Sequence, residues 1–528
     1  MQSRIQEKQV CLFARLFIIV PIAILTGCHT HSWIDYPRTG QFQETERLPR
    51  RPHCRDVQPV ECKEKLRLFI EFEQKRNIKD IYRDGVFQND MPVEFRAETG
   101  RSFALPYLLI NTGSKILATQ SVSEQTPGFI SKHHIVADTS GGSLFKFPIH
   151  PIAVEYYREM LKGTEYTFVP SDDSEFVVTP TASERTLIRN LEEREPGGSY
   201  MIKVSLPIAI NNRSRELYPT EMKRGIWFSK RLSDDFGGAL KSFFFFLEPY
   251  GAYPRTVEGR ALAATVFRTF PDEFYDSGTR TIPMFSYLAA DETAKPLFFK
   301  SIPDSVTKAG ENEVWNWYLV TILRSLLDRI KAVSYEMGIG LQLHSQNTLI
   351  ELDASLSKPT GRFGYRDLGG SFYDLPGALV LDRKLPDFST VQDIQREIGL
   401  AYFKGNSLLD WTLFFFKKQV SDLFIIQMAS HGLVGKNTRD RWKGLAWKLA
   451  IDDYRGAYKA QWRNAVPGLL PASRLPPTHF AFSLYPEENE PPSLDHIKWY
   501  QRNQFFLGID EAANRVAALG LPLNSETK

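Results

Sequence analysis

Residues Gly338 to Leu352 read G-I-G-L-Q-L-H-S-Q-N-T-L-I-E-L, and apolar and polar side chains alternate at the start of this segment. In an extended segment, alternate side chains share a face. Leu341 and Leu343 would then point to one side, and Gln342, His344 and Gln346 to the other. Uncharged donors and acceptors between apolar neighbours favour a buried polar site, and an ordinary hydrogen-bonded polar strand is the alternative.

A long amphipathic helix is predicted immediately before this polar row. Its apolar residues recur at steps of three and four and are Trp315, Leu319, Ile322, Leu326, Ile330, Val333 and Met337. That spacing gives one apolar face, and Gly338 follows where a left-handed cap is expected. The polar row therefore comes just after a core helix, in a position where a fixed scaffold can carry chemistry.

Length and composition indicate a globular protein of two or three domains. The chain has 528 residues and is 42% hydrophobic, which is enough to form real cores. The net charge of +3 is nearly balanced and no basic block occurs, so nucleic acid is not a favoured partner. Helical patterns come first, strand-like patterns fill the middle, and the chain beyond about residue 310 is mostly helical. This order predicts an α+β protein with a strand-rich middle and a mostly helical C-terminal half.

Residues 1–28 are typical of an export signal. Basic residues precede a short apolar run, and the run ends in L-T-G-C at Cys28. The run is too short for an ordinary transmembrane helix. L-T-G-C resembles the lipobox of bacterial lipoproteins, with Cys28 as the lipid-bearing residue. An uncleaved leader or a wrongly assigned start is the alternative.

The cysteines exclude several kinds of site. All four (Cys11, Cys28, Cys54 and Cys62) lie within the first 62 residues, so the main body has no disulfide framework, cysteine metal site or catalytic cysteine. Cys54 and Cys62 could pair in an exported protein, and two free thiols are the alternative. Cysteine usage alone therefore does not assign a compartment.

Four polar clusters are candidates for chemistry. They are P-T-A-S-E-R-T (180–186), Lys203 with Asn211, Asn212 and Arg215, the trio His344, Gln346 and Asn347, and R-D-L-G-G (366–370). Guanidinium, ammonium and hydroxyl groups suit phosphates and carboxylates, and Asn and Asp oxygens suit Mg²⁺. Together they favour ATP-dependent activation of a carboxylate, although each cluster alone is as easily a helix cap or a surface pair. No P-loop and no G-x-S-x-G elbow occurs.

Taken in order, these segments resemble the IucA/IucC family, the NRPS-independent siderophore synthetases. The matching pieces are F-P-I-H-P (147–151), P-T-A-S-E-R-T (180–186), K-V-S-L-P-I-A-I-N-N-R-S-R-E-L (203–217), the segment around Glu248, A-T-V-F-R-T-F-P (264–271), G-I-G-L-Q-L-H-S-Q-N-T-L (338–349) and R-D-L-G-G (366–370). The resemblance covers about residues 140–480.

The resemblance implies a cupped-hand fold of thumb, fingers and palm. After the leader it implies a linker and helical thumb over 29–139, strand-rich fingers over 140–265 and a mainly helical palm over 266–528. It also implies an ATP- and Mg²⁺-dependent ligase, often a homodimer, that adenylates a polycarboxylate such as citrate. An amine or an alcohol then attacks the acyl-adenylate, giving an amide or ester of a siderophore.

The resemblance also implies roles for individual residues. The predicted ATP-binding residues are Ser183, Arg185, Thr186, Lys203, Gln346, Asn347 and Asp367. Asn347 and Asp367 would also hold the metal, and the predicted substrate-binding residues are Asn211, Arg215 and His344. Arg185, Lys203, Arg215 and His344 are the predicted catalytic residues, with Arg185 and Lys203 stabilising charge on the α-phosphate and Arg215 clamping a citrate carboxylate.

The chain departs from the family pattern at several positions. Gln342 stands where the family has an acidic residue, which predicts weaker Mg²⁺ binding, and Asn211 replaces the threonine of T-N-x-x-R. Ile152 and Ala153 replace Trp-Gln, and the upstream H-P-x-H-P-x-x-K segment is missing. The alternative function is therefore a catalytically degenerate lipoprotein, anchored at Cys28, that binds citrate or a ferric siderophore. A synthetase would be cytoplasmic, with or without membrane association through its N-terminus.

Overall fold

The structure of the chain is a computed structural model. It describes residues 52–57, 59–75, 91–139, 141–192, 194–195, 197–210, 213–236, 239–240, 242–289, 295–337, 339–373, 412, 415–447 and 449–450. The leader with Cys28, the predicted substrate residue Asn211 and the cap residue Gly338 lie outside the described residues.

Short strands dominate the described part of the chain up to residue 283. They are β1 Phe103–Ala104, β2 Tyr107–Asn111, β3 Leu117–Ser121, β4 Ile135–Ala137, β5 Ser143–Pro148, β6 Thr167–Val169, β7 Val177–Pro180, β8 Thr186–Arg189, β9 Tyr200–Lys203, β10 Leu206–Ile210, β11 Arg213–Arg215, β12 Ala239–Leu240, β13 Phe243–Phe245, β14 Tyr250–Pro254, β15 Thr265–Thr269 and β16 Thr279–Pro283. Four more strands follow, and these are β17 Ile339–Gly340, β18 Thr348–Asp353, β19 Pro359–Tyr365 and β20 Phe372–Tyr373.

Helices precede, interrupt and follow the strands. They are α1 Cys54–Val57, α2 Pro59–Lys75, α3 Gly128–His133, α4 Val154–Met160, α5 Pro219–Phe236, α6 Met284–Leu288, α7 Asp304–Ala309, α8 Glu311–Tyr318, α9 Ser325–Met337, α10 Asp422–Ser430 and α11 over 436–447. None of the helices that the structure describes is both long and apolar enough to span a bilayer.

The largest sheet has seven strands in the order β1-β7-β8-β9-β15-β14-β3, and each neighbouring pair is antiparallel. Its middle strands carry residues of the predicted site. Thr186 at the start of β8 pairs with Lys203 at the end of β9, and Val266 of β15 pairs with Lys203 on the other side. The sheet therefore brings Lys203 of the second polar cluster beside the turn that carries the first cluster.

A second sheet has five strands in the order β12-β13-β19-β18-β16. β13 runs parallel to β19, and the other neighbours are antiparallel. β13 is an all-phenylalanine strand at the start of a continuous apolar run that begins at Phe243, and it is fully buried. Because β19 ends at Tyr365, this sheet delivers the R-D-L-G-G segment directly from a buried strand.

The long amphipathic helix is confirmed as α8 and α9 joined by one π-helical stretch, Leu319–Arg324. Six of the predicted apolar residues are buried in the main core, and they are Trp315, Leu319, Ile322, Leu326, Ile330 and Val333. The polar row follows this helix as expected. It is not an extended strand, because β17 covers only Ile339–Gly340 and the His344 N–H donates back to the Gln342 carbonyl (2.7 Å). Residues 345–347 then form a turn before β18.

Helix α2 carries part of the core that joins the two sheets. Cys54 and Cys62 form a disulfide between α1 and α2, which decides between the two alternatives left open by the sequence. Both sulfurs are buried, and they share a hydrophobic cluster with Phe69 of α2, Met201 of the seven-stranded sheet and Leu349 of the five-stranded sheet. The N-terminal helix is thus packed into the body of the protein.

The α+β class with a strand-rich middle is confirmed. Apolar and polar residues alternate over 200–210 as they would in one strand, but these residues do not form a single strand. The chain leaves the seven-stranded sheet after Lys203, where the Val204 N–H donates to the Arg185 carbonyl (2.8 Å), and β10 then pairs with β11 in a separate two-stranded sheet. The predicted boundaries between thumb, fingers and palm stay predictions.

Candidate functional site

The turn between β7 and β8 presents Arg185. Its own hydroxyls tie it together: the Thr186 N–H donates to Ser183 Oγ (3.0 Å), and Thr181 Oγ1 donates to the Thr186 carbonyl (2.8 Å). Glu184 has φ 62°, a conformation that a non-glycine residue adopts only when its surroundings impose it. Ser183 and Thr186 therefore hold the shape of the turn, and Arg185 projects from a fixed position.

Lys203 lies beside this turn at the end of β9. Its side chain is 3% exposed, and its ammonium contacts two carboxylates, Glu221 Oε1 at 2.8 Å and Asp367 Oδ1. Arg185 Nη2 reaches the same Glu221 oxygen at 3.3 Å. Two cations from neighbouring strands thus converge on one anionic oxygen. Burial alone would raise the pKa of Glu221, but Lys203 and Arg185 lower that pKa below its ordinary value.

Asp367 lies on the opposite side of Lys203. Its backbone has φ 80° and ψ 53°, in the left-handed region, which is a costly conformation for a residue other than glycine. The R-D-L-G-G turn therefore holds Asp367 in a fixed, strained position. Its Oδ1 accepts from Lys203 and from Arg268 Nη2 (3.3 Å). Burial alone would raise the pKa of Asp367, and the two cations hold it well below its usual range instead. Asp367 therefore stays ionised.

Arg268 and Glu248 complete what we call the site cluster, which is Arg185, Lys203, Glu221, Glu248, Arg268 and Asp367. Arg268 Nη2 lies 2.6 Å from Glu248 Oε1, and both side chains are almost fully buried. Burial alone would lower the pKa of Arg268, but Glu248 and Asp367 raise it. The sequence analysis did not select Glu221, Glu248 or Arg268 as site residues. An arginine inside the apolar strand β15 was the available signal.

Two glycines bring helix α5 against the R-D-L-G-G turn. A Cβ added at Gly225 of α5 would lie 1.9 Å from Glu248 Oε2 and 3.1 Å from the Gly369 nitrogen. Arg224 Nε donates to the Gly369 carbonyl (2.7 Å), and the Gly369 N–H donates to Glu248 Oε2 (3.2 Å). This close approach explains the glycines at positions 225 and 369 and places α5, with Glu221, over the other residues of the site cluster.

The third polar cluster adjoins the fourth through the backbone. Leu341 and Leu343 are fully buried, and the alternating Gln342 and His344 are half-buried, as the predicted alternation requires. The His344 Nδ1 accepts from the Gln346 N–H (3.2 Å) and so shapes the turn that follows.

Arg366 makes the connection between these two clusters. Its Nε donates to the Gln346 carbonyl (2.9 Å), and its backbone N–H donates to the Asn347 carbonyl (3.0 Å). The structure therefore brings His344, Gln346 and Asn347 next to the turn that carries Asp367.

Gln342 faces the site next to Asp367. A Cβ added at Gly370 would lie 2.9 Å from Gln342 Oε1 and 3.7 Å from Asp367 Oδ2, so both oxygens line the same small space. These are the hard oxygen donors that Mg²⁺ prefers. Within the part of the chain that the structure describes, no group of three or more His, Cys, Asp or Glu side chains could hold a metal ion. The residues fit Mg²⁺ only if a bound ligand supplies further oxygens.

Arg215 lies on β11, where its Cα partner is Leu206 of β10. The chain there has just left the end of β9, so the β10–β11 hairpin follows directly after Lys203 in sequence. Among the predicted site residues, the contacts of the site cluster bring together Arg185, Lys203 and Asp367. Arg215 on this hairpin and His344 in the polar row are the predicted substrate residues that the structure describes. The roles assigned to these two residues and to Asn211 stay predictions.

Comparisons with known proteins found one matching family model and several solved structures of similar fold. The family model for the IucA / IucC family matches residues 83–289. Among solved structures, ATP-bound aerobactin synthetase IucA from Klebsiella pneumoniae has a TM-score of 0.54 at 16% identity, over 75% of this chain and 73% of that one. The petrobactin biosynthesis protein AsbB from Bacillus anthracis has a TM-score of 0.53 at 15% identity, over 70% of this chain and 64% of that one.

A third solved structure, aerobactin synthetase IucC from Klebsiella pneumoniae, has a TM-score of 0.51 at 15% identity, over 77% of this chain and 76% of that one. At such low identity these likenesses show a shared fold. No curated protein matches the chain.

Proposed function

We propose, from the match of residues 83–289 to the family model for the IucA / IucC family, that the protein is an ATP-dependent synthetase of siderophore biosynthesis. Its reaction is the adenylation of a polycarboxylate, citrate or a citrate-like acid, followed by condensation with an amine or an alcohol. The fold shared with aerobactin and petrobactin enzymes supports this assignment. An association of two copies, expected from the family, is part of the same proposal.

One observation carries the proposal: Arg185 and Lys203 converge on a single carboxylate oxygen of Glu221, at 3.3 and 2.8 Å. A phosphate oxygen is an anion of similar size and takes the same charge-assisted hydrogen bonds. Glu221 is 19% exposed, so its carboxylate can give up this position to a ligand. The convergence favours a polyphosphate substrate, and ATP is the polyphosphate that fits activation of a carboxylate.

The proposed reaction has two balanced steps. A carboxylate oxygen of the acid attacks the α-phosphorus of ATP, and the bond to pyrophosphate breaks. The amine nitrogen or alcohol oxygen then attacks the acyl carbon and loses its proton, and AMP leaves. We infer that Arg185 and Lys203 stabilise the charge that builds on the phosphate oxygens during the first step. Arg215, with Asn211 and His344, would hold the acid in line for that attack.

Ser183 and Thr186 shape the phosphate-binding turn, and Gln346, Asn347 and Asp367 would line the rest of the nucleotide site. Mg²⁺ in nucleotide sites takes one or two carboxylates together with phosphate oxygens. Asp367 and Asn347 supply protein oxygens of this kind, and Gln342 supplies a neutral one where the family has a carboxylate. When bound, Mg²⁺ would neutralise phosphate charge, and we expect it to enter with the nucleotide.

The experiment that tests the proposal is ATP–pyrophosphate exchange with citrate and Mg²⁺ on the purified protein. Exchange in the unmodified protein that disappears in Arg185→Ala would support an adenylating synthetase. Arg158→Ala is the matched control, because Arg158 is exposed on α4, where it pairs with Glu155 and lies over the Phe168 ring, and none of these residues belongs to the site cluster. Absence of exchange with every polycarboxylate tested, in a folded protein, would contradict the proposal.

The disulfide favours a second candidate function. Stable disulfides are typical of exported proteins, and Cys54–Cys62 is buried in the core. Together with L-T-G-C at Cys28, it supports a membrane-anchored lipoprotein that binds citrate or a ferric siderophore without turnover. Mass spectrometry of the cell-made protein distinguishes the two: a lipid-modified Cys28 favours the lipoprotein, and an unmodified N-terminus with reduced Cys54 favours a cytoplasmic synthetase.

A further inference from the structure

Helix α2 contributes one buried carboxylate that no sequence motif selected. Glu73 is fully buried near the end of α2. Its Oε1 lies 2.5 Å from Arg366 Nη1, and its Oε2 accepts from the Ala182 N–H (3.1 Å). One turn earlier on the same helix face, the Phe69 ring lies 5.9 Å from the Arg366 guanidinium carbon. A single side chain therefore reaches two loops that are far apart in sequence.

Each partner of Glu73 is next to a residue of the site. Ala182 precedes Ser183 in the turn that presents Arg185. Arg366 precedes Asp367, whose backbone is held in the left-handed region by its turn. The two turns come from different sheets, one from β7 and β8 and the other from the end of β19. The relative position of Arg185 and Asp367 thus depends on what joins these turns.

We propose that Glu73 is a positioning residue that fixes the two turns of the site relative to each other. The inference rests on the proposed synthetase function. Glu73 touches none of the reacting groups and acts through the Ala182 amide and the Arg366 guanidinium. A carboxylate is suited to this task because one oxygen accepts a hydrogen bond from the Ala182 N–H while the other forms a buried ion pair with Arg366.

Helix α2 is itself held firmly enough to serve as this support. The Cys54–Cys62 disulfide ties its first turns to α1. Farther along, Lys65 donates to the Thr279 carbonyl (2.5 Å), and Glu61 pairs with Arg280 Nη1 (2.9 Å) on β16. The helix lies outside the segment matched by the family model, 83–289, so this support is supplied by the preceding part of the chain.

Two substitutions with opposite chemistry test the role of Glu73. Glu73→Gln keeps the reach and loses the charge, and Glu73→Asp keeps the charge and shortens the side chain by about 1.5 Å, one carbon–carbon bond. Both should lower kcat for ATP–pyrophosphate exchange per folded molecule about 10- to 100-fold, the cost of a small misplacement of reacting groups. Glu71→Gln is the matched control, because Glu71 is on the same helix, 38% exposed, and pairs with Arg67 at the surface.

A purely structural role would reduce the amount of folded protein and leave kcat per folded molecule unchanged in both variants, and that result would overturn the proposal. If the unmodified protein shows no exchange, the synthetase function fails and amide hydrogen exchange decides the role of Glu73. Faster amide exchange in both 181–186 and 366–371 of Glu73→Gln, and not of Glu71→Gln, would support it. Unchanged protection of either segment would overturn it.

Discussion

Two buried groups of charged side chains, each with three cations and three carboxylates, are satisfied in different ways. The site cluster consists of Arg185, Lys203, Arg268, Glu221, Glu248 and Asp367. The second group, which we call the α2 cluster, consists of Lys65, Arg280, Arg362, Glu61, Asp276 and Glu351. Equal numbers of charges thus serve two different purposes in one molecule.

Side chains of the α2 cluster form hydrogen bonds to backbone groups. Lys65 donates to the carbonyls of Asp276 and Thr279. Glu61 accepts from the Gly278 N–H (2.9 Å) as well as from Arg280. Backbone groups at a fixed place in a sheet cannot move aside for a ligand. This cluster is therefore closed and stabilises the attachment of α2 to β16.

The site cluster depends on side chains that share partners. Lys203 serves both Glu221 and Asp367, and Asp367 Oδ1 serves both Lys203 and Arg268. Glu221 and Asp367 are 19% and 18% exposed, so this end of the cluster reaches solvent. An incoming anion can take the place of Glu221 without breaking any backbone hydrogen bond of a strand. Exchangeable pairing, rather than the number of charges, distinguishes a binding site from a structural ion network.

The largest effect is expected for Arg362→Met in the α2 cluster. Arg362 Nη1 lies 2.6 Å from Asp276 Oδ2 and 3.2 Å from Glu351 Oε2, and Glu351 is fully buried. Removing the cation leaves buried carboxylates unpaired, which costs about 3–5 kcal/mol of unfolding free energy. Urea denaturation measures this, with Arg158→Met as the exposed control. A loss of unfolding free energy below about 1 kcal/mol would contradict the view that the α2 cluster is a structural ion network.

Lys203→Met should have its main effect on catalysis. Losing one preorganised charge at a developing oxyanion lowers kcat about 10²- to 10³-fold, and Arg185 and Arg268 still pair with Glu221 and Asp367 in the folded protein. Lys65→Met is the matched variant in the α2 cluster and should leave kcat per folded molecule within about twofold. Equal losses of kcat in the two variants would remove the functional distinction.

Glu221→Gln sharpens the idea of an exchangeable anion. Without its charge, residue 221 competes less for Arg185 and Lys203, so ATP should bind about tenfold more tightly, or by about 1.4 kcal/mol. Isothermal titration calorimetry with ATP and Mg²⁺ measures this, and Glu155→Gln on the exposed face of α4 is the control. Weaker binding in Glu221→Gln would mean that Glu221 helps to hold the nucleotide and does not compete with it.

The sequence predicted the fold class because apolar spacing is local. The period of the helix from Trp315 to Val333 and the buried strand at Phe243 are readable within a few residues. The parallel pairing of β13 with β19 was not predictable, since the two strands are more than 100 residues apart. For the same reason the sequence did not show that residues 200–210 divide between two sheets, because their alternation continues without a break.

The sequence predicted the site residues that belong to a recognisable polar motif and missed the site residues that do not. Arg185, Lys203 and Asp367 stand in such motifs, and the structure brings these three together. Glu221 lies near the start of an amphipathic helix, where an acidic residue is ordinary. Glu73 lies in a helical segment rich in charge. Only the long-range contact with Arg366 distinguishes it, and no local pattern reports such contacts.

The smallest expected effect is a dependence of the unfolding free energy on pH that comes from Lys65 of the α2 cluster. Burial lowers the pKa of Lys65 to about 8, although Glu61 partly offsets this. In the unfolded chain a lysine titrates near 10.4. Between these values the unfolded state holds more protons, so this residue makes the unfolding free energy rise with pH, by at most about 1.4 kcal/mol per pH unit.

The carboxylates Glu221 and Asp367 of the site cluster have lowered pKa values, so these two groups do not titrate in this alkaline range. The difference in unfolding free energy between the unmodified protein and Lys65→Met should therefore change in favour of the unmodified protein between pH 8 and pH 9.5, and stay constant from pH 6.5 to pH 7.5. Taking the difference cancels the tyrosines, which are common to both proteins. A difference in unfolding free energy that does not change between pH 6.5 and pH 9.5 would mean that Lys65 stays fully charged in the folded protein. Burial in the α2 cluster would then not disfavour its charge.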